Sequence, residues 1–276
     1  MTERRPWSRE ESLLAFRLYC RTPFGQLRHG NPTIIALAQL LGRTPSAVSM
    51  KACNFASFDP LLQARGVRGL TNASKLEPQI WEEFSANSTA VAAEAEAAHE
   101  RLIRGRRLRT GEGTVTTIVR EVKLPDGPTE AQRLVTVRRV QRFFRHAVLM
   151  AYGKRCALTG LAIPALLNAS HIIPWRTDSA RRADPRNGLC LNALHDRAFD
   201  RGLITFDQEY RVVLSPHLRD QLDGEVSRGL PPRSSVAAHN LEHALRSVEG
   251  RRLQAPERFA PDPAALDYHR LCVFHA

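Results

Sequence analysis

The sequence predicts an α+β protein, with a mainly helical N-terminal half and a smaller C-terminal domain that mixes short strands with helices. Three observations predict it. Helix start and stop signals recur at short intervals through residues 1–60. An Ala- and Glu-rich stretch follows, with the composition of a long helix. Beyond residue 150 the pattern changes to short apolar runs separated by turn residues, among them Asn187-Gly188. With 276 residues and 43% hydrophobic composition, the chain is long enough for two modest domains with real cores.

The elements follow in order. Ser8-Arg9-Glu10-Glu11 is a capping box ahead of Leu13, Leu14, Leu18 and Tyr19 at helical spacing. Asn31-Pro32 starts a second helix along Ile34, Leu37, Ala38 and Leu41, and Gly42 ends it. Thr44-Pro45 starts a third, joined to the second only by Gly42-Arg43-Thr44, which is helix-turn-helix geometry. With Trp7 and Glu11 at its opening and Leu41 to Val48 at its turn, residues 1–60 resemble the helix-turn-helix and Myb-like families. That resemblance makes the third helix the reading helix. Ser46, Ser49, Lys51 and Asn54 are expected to face a DNA groove, with Arg43 on phosphate.

Residues 61–134 form a connector in this reading. It contains an irregular stretch to residue 80, one long helix from Glu82 to Leu108, and a Gly-, Pro- and Thr-rich linker with a hairpin around Thr114 to Val119. Val135 to Tyr152 reads as a helix bearing Arg138, Arg139, Arg142 and Arg145 that packs on the domain assigned to residues 135–276. A hairpin of Leu203–Phe206 and Tyr210–Leu214 is expected near the chemistry-bearing segment.

Composition narrows the function. The formal net charge is +12, the excess is spread over both halves, and Arg greatly outnumbers Lys. Such a balance points to a polyanion partner and suits bidentate phosphate contacts. No run of eighteen apolar residues is present, so no transmembrane helix is expected, and a membrane partner is not expected. The five cysteines are scattered without a C-x-x-C pair. This argues against a disulfide framework and a structural zinc ribbon, and favours a reducing, cytoplasmic setting.

Chemistry concentrates in one segment. Ala169-Ser170-His171-Ile172-Ile173-Pro174-Trp175 puts a His at the end of an apolar run. Asn187-Gly188 follows, then His195-Asp196-Arg197-Ala198-Phe199-Asp200-Arg201-Gly202. A His that takes a proton from water, an Asn that orients the structure around it, and carboxylates or imidazoles that hold a divalent cation are the parts needed to cut a phosphodiester.

This ordered combination resembles the HNH endonuclease family, of the branch without zinc ribbons, over residues 140–215. The lead-in Tyr152-Gly153-Lys154-Arg155-Cys156-Ala157-Leu158-Thr159-Gly160 adds to the likeness, as does Gly202-Leu203-Ile204-Thr205-Phe206-Asp207. The resemblance implies a ββα-metal fold: a strand from Leu166 to Ile173, a loop from Arg176 to Asn187, a second strand from Leu189 to Leu191, and a helix from Asn192 to Arg201.

It also implies roles. His171 is the general base. Asn187 either fixes the His-bearing loop or joins the metal shell. His195 is a further catalytic or ligand candidate. A hard, oxygen-rich site for one Mg²⁺ or Mn²⁺ is expected on Asp200 with Asp196 or His195. Asp196 and Asp200 share a helix face, while His195 points about 100° away. Arg176 is expected on DNA. One departure stands out: Ser170 occupies the place where many family members carry an Asp or His ligand. Cys156 is expected to be a packed thiol.

The reading is therefore a metal-dependent endonuclease acting on double-stranded DNA, with an N-terminal DNA-binding module and a restriction or other defence role; a homodimer is compatible with it. The alternatives are an inactive DNA-binding protein that keeps the HNH fold as a scaffold, and an RNA-cutting or toxin nuclease.

Overall fold

Helix boundaries in the first sixty residues are set by side chains that satisfy orphan backbone donors. In the computed structural model, which describes residues 5–70, 74–110, 128–227 and 243–276, Ser8 caps α1 (Arg9–Arg21) by accepting from Glu11 N–H, and the Glu11 carboxylate answers to Ser8 N–H. Asn31 caps α2 (Pro32–Leu41), which ends at Gly42 with φ of 62°, a left-handed conformation open to Gly at little cost. Thr44 caps α3 (Pro45–Ala56). Each such cap stabilises its helix by about 1 kcal/mol.

Contacts divide the chain into two units, one made of Met1–Met150 with Ala180–Asp184, the other of Ala151–Ser179 with Pro185–Ala276. The first continues with α4 (Pro60–Ala64), α5 (Leu76–Ala86), α6 (Ser88–Thr110) and α7 (Pro128–Ala151). Its core is aromatic. Phe16 of α1 lies with ring centroids 5.1 Å from Phe55 of α3, 4.9 Å from Phe84 of α5 and 6.2 Å from Phe143 of α7. All four rings are buried, and each contributes roughly 2–3 kcal/mol by leaving water.

Two expectations change here. The single helix expected over Glu82–Leu108 is two, α5 and α6, broken at Asn87. The Asn87 side chain accepts from Ala90 N–H at 3.0 Å, and its own backbone leaves the helical region. A short amide that bonds its neighbouring backbone competes with helix continuation. Part of the stretch expected to be irregular, to residue 80, is helical in α4 and α5. The helix read over Val135–Tyr152 sends Phe143 into the aromatic core of the first unit. Its Arg139 and Arg142 pair with Glu100 of α6. The hairpin expected around Thr114–Val119 lies outside the described residues.

The second unit opens with β1 (Leu167–His171) and β2 (Gly188–Asn192), an antiparallel pair in which His171 faces Gly188, Ser170 faces Leu189 and Asn168 faces Leu191. Next comes α8 (Ala193–Asp200), capped by Asn192, whose side chain accepts from His195 N–H at 3.0 Å. A second antiparallel pair, β3 (Ile204–Phe206) and β4 (Val212–Leu214), follows. Then come α9 (Pro216–Ser227) and α10 (Pro263–Cys272). The turn after α8 needs Gly202: its φ is 65°, and a Cβ there would lie 2.1 Å from the Val273 carbonyl oxygen. None of the five cysteines forms a disulfide. Among the described residues no helix is long and apolar enough to cross a membrane.

Candidate active site

Strand alternation sorts the site residues of β1 onto two faces. Asn168 and Ser170 point toward α8, where the Asn168 amide donates to Asp196 Oδ2 at 2.7 Å. His171 is the last residue of the strand. It lies opposite a glycine, so no cross-strand side chain crowds it. The half-buried imidazole stands edge-on to Trp175, with centroids 5.5 Å apart and planes at 86°.

The backbone beyond His171 is held by Asn187, which is 1% exposed. Ile172 N–H donates to the Asn187 carbonyl at 3.0 Å. The Asn187 side chain then grips Ile173 twice: Oδ1 accepts from its N–H at 2.8 Å, and Nδ2 donates to its carbonyl at 3.2 Å. Both ends of the amide are engaged, so its role in this structure is to fix the His-bearing turn.

On α8, Asp196 and Asp200 lie one turn apart. The Asp200 carboxyl is pushed up to about 6, first by desolvation and then by the nearby Asp196 charge, with Arg197, the Ser170 hydroxyl and Arg201 pulling the other way. Ser170 Oγ itself is buried and makes no hydrogen bond of ordinary geometry.

His195 is 2% exposed, and neither ring nitrogen has a hydrogen-bond partner of ordinary geometry. It lies against Cys156. Burial opposes ionisation of that thiol. His195, Thr159 and nearby backbone N–H groups outweigh burial and draw the thiol down to about 7. Cys156 Sγ also accepts from Asn192 N–H at 3.3 Å. Cys156 is fully buried, as expected of a packed thiol, and its contacts to His195 and Asn192 N–H come from residues far along the chain.

Residues 156–207 match the HNH endonuclease family. No curated protein matches the chain. The HNH segment spans β1, β2, α8 and β3, and so contains His171, Asn187, His195, Asp196 and Asp200.

Of the groups expected to hold a metal, Asp200 and Asp196 stand together on α8, while the His195 ring lies against Cys156. Among the described residues no three His, Cys, Asp or Glu side chains converge as metal ligands. The causes are local. The Asn187 amide is taken by Ile173, one Asp196 oxygen is taken by Asn168, and His195 turns toward Cys156. The HNH segment keeps an open carboxylate pair instead of a closed cage.

The residues expected to read DNA from α3 are largely internal. Ser49 donates to the Leu27 carbonyl at 2.7 Å, Lys51 pairs with Glu77 at 2.8 Å, and the Asn54 amide donates to Glu77 at 3.2 Å. All three side chains are buried. Arg43 lies 4.0 Å over the Trp7 ring, pairs with Glu11 at 2.8 Å, and donates to the carbonyls of Arg5 and Pro6. Glu77 and Glu11 draw these polar groups inward. Ser46 and Arg176 are exposed.

Proposed function

We propose that the chain is a metal-dependent endonuclease that hydrolyses phosphodiester bonds in double-stranded DNA, with His171 as general base. The observation that carries this reading is the placement of His171: at a strand end, opposite Gly188, on a turn clamped by Asn187, within a segment matched by the HNH endonuclease family.

The residues present fit a hydrated hard cation. Asp200 and Asp196 crowd each other's charge, and the buried Ser170 hydroxyl beside them lacks a partner of ordinary geometry. Mg²⁺ and Mn²⁺ favour oxygen donors, and Mg²⁺ commonly binds one or two carboxylates while keeping several waters. Asp200 would hold the ion, with Ser170 and the Asp196 carboxylate alongside. When bound, the ion supplies positive charge against the phosphate and the departing 3′-oxygen.

The chain's own residues do the rest. A His171 imidazole nitrogen accepts the proton of the attacking water, and Trp175 limits the ring's rotation. Asn187 keeps the turn rigid, so the imidazole is oriented before substrate arrives. The first unit positions DNA, and a restriction or other defence role follows by analogy from joining such a unit to an HNH segment.

A second reading draws on Ser170 and on the absence of a ligand triad among the described residues: the fold persists as a DNA-binding scaffold without catalysis. Incubating plasmid with the protein and Mg²⁺ or Mn²⁺, with and without chelator, separates the two. The nuclease reading expects metal-dependent cutting that Asp200→Asn abolishes; DNA binding without cutting on any substrate supports the scaffold.

A further inference from the structure

A cluster of guanidinium groups in the first unit surrounds a carboxylate with almost no access to water. Glu96 of α6 is 1% exposed, and it receives Arg17 at 2.9 Å, Arg21 at 3.1 Å and Arg142 at 3.4 Å. One turn along, Glu100 receives Arg142 at 2.6 Å and Arg139 at 2.7 Å. Four arginines thus share two carboxylates. Burial, followed by the Arg17 charge, pushes Arg21 down to about 10, with Arg142 acting in the same sense and Glu96 opposing. His99 and His146, on α6 and α7, are both held toward the neutral form by burial and by these cations. Neither adds an anion.

Three arginines of α7 stand at the surface. Arg138, Arg142 and Arg145 fall within about 60° of one another around α7, and all three are exposed. Glu96 and Glu100 fix the inner guanidiniums, so part of the ordering cost of gripping an anion is met before it arrives. The α3 surface offers no such array, because the Lys51 and Arg43 side chains are only 3% and 10% exposed, against 45% for Arg142.

We propose that the face carrying Arg21, Arg138, Arg142 and Arg145 is the surface on which the first unit holds the phosphate backbone of double-stranded DNA. The proposal rests on the DNA-nuclease reading and adds to it the place of contact. Arginine forks at this density match phosphate geometry and carry no base readout, so the grip is independent of sequence and weakens with salt.

Binding, not cleavage, tests it. The full chain is titrated against a labelled DNA duplex over a salt series, as wild type, as Arg138→Glu with Arg145→Glu, and as Arg65→Glu with Arg68→Glu. The last pair makes the same change in charge at exposed positions elsewhere. The α7 double variant is expected to bind at least about tenfold more weakly at moderate salt. Its plot of log affinity against log salt should be shallower by about two, for two lost phosphate contacts. The matched control should stay within about threefold of wild type. Equal loss in both pairs, or no loss on α7, overturns the surface while leaving the nuclease reading intact. A wild type that binds no DNA overturns both, and tighter binding of an RNA duplex overturns the assignment to DNA.

Discussion

Asn187 holds both backbone polar groups of Ile173, accepting from the N–H at 2.8 Å and donating to the carbonyl at 3.2 Å. This fixes the chain two residues beyond His171. Asn187→Ala leaves both backbone groups buried without partners and should cost about 2–4 kcal/mol. Asn187→Asp keeps the size but loses the donor. Denaturant unfolding of the two variants checks this, and Asn187→Asp should also be destabilised. Wild-type stability in both would show that the grip contributes nothing.

Lys51 and Glu77 form a buried pair, with side-chain exposures of 3% and 1%. Burial pushes the Lys51 ammonium below its usual range, with Glu77 pulling it back. Lys51→Met strands the Glu77 charge and should destabilise the helical unit by about 3–5 kcal/mol, while Lys51→Met with Glu77→Leu recovers most of that loss. Thermal melts of the single and double variants measure it. An unperturbed Lys51→Met protein would return Lys51 to the solvent-facing role read from sequence.

His269 of α10 stacks on Phe199 with centroids 3.7 Å apart. Its Nε2 lies 3.1 Å from the Phe199 carbonyl and its Nδ1 lies 2.9 Å from Thr205 Oγ1. A carbonyl only accepts, so Nε2 carries the proton and Nδ1 accepts from the hydroxyl. Burial lowers its pKa from 6.5 to about 4, with the Phe199 bond opposing. Between those values the unfolded chain binds more protons, so stability rises with pH. The contribution is full above about pH 6.5 and is lost as pH falls toward about 4, on the order of 2–3 kcal/mol. His269→Gln should flatten that part of the stability–pH curve; an unchanged slope would contradict the assignment.

The strand–strand–helix order of the HNH segment was legible because it is local. His171, Asn187 and Asp200 lie in one short stretch, and strand alternation with the Gly202 stop places them without long-range knowledge. The capped helices of residues 1–60 were legible for the same reason. What escaped notice depends on partners far along the chain. Lys51 has the look of a solvated helix charge until Glu77 packs over it. Phe143 joins Phe16 only through tertiary contact. The break at Asn87 turns on one side-chain bond inside a sequence that favours helix on both sides. Side-chain chemistry shows which groups are able to ligate, whereas the contacts of Asn187 with Ile173 and of Asp196 with Asn168 arise only in the folded chain.

The central claim is that His171 takes the proton in phosphodiester cleavage. The most direct measurement is the rate of supercoiled plasmid cutting in Mg²⁺ or Mn²⁺ by wild type and by His171→Ala, with both proteins matched in melting temperature. The account predicts metal-dependent cutting by wild type and a loss of at least about 100-fold in the variant, the usual scale of a general base. Equal rates in the two proteins would contradict it.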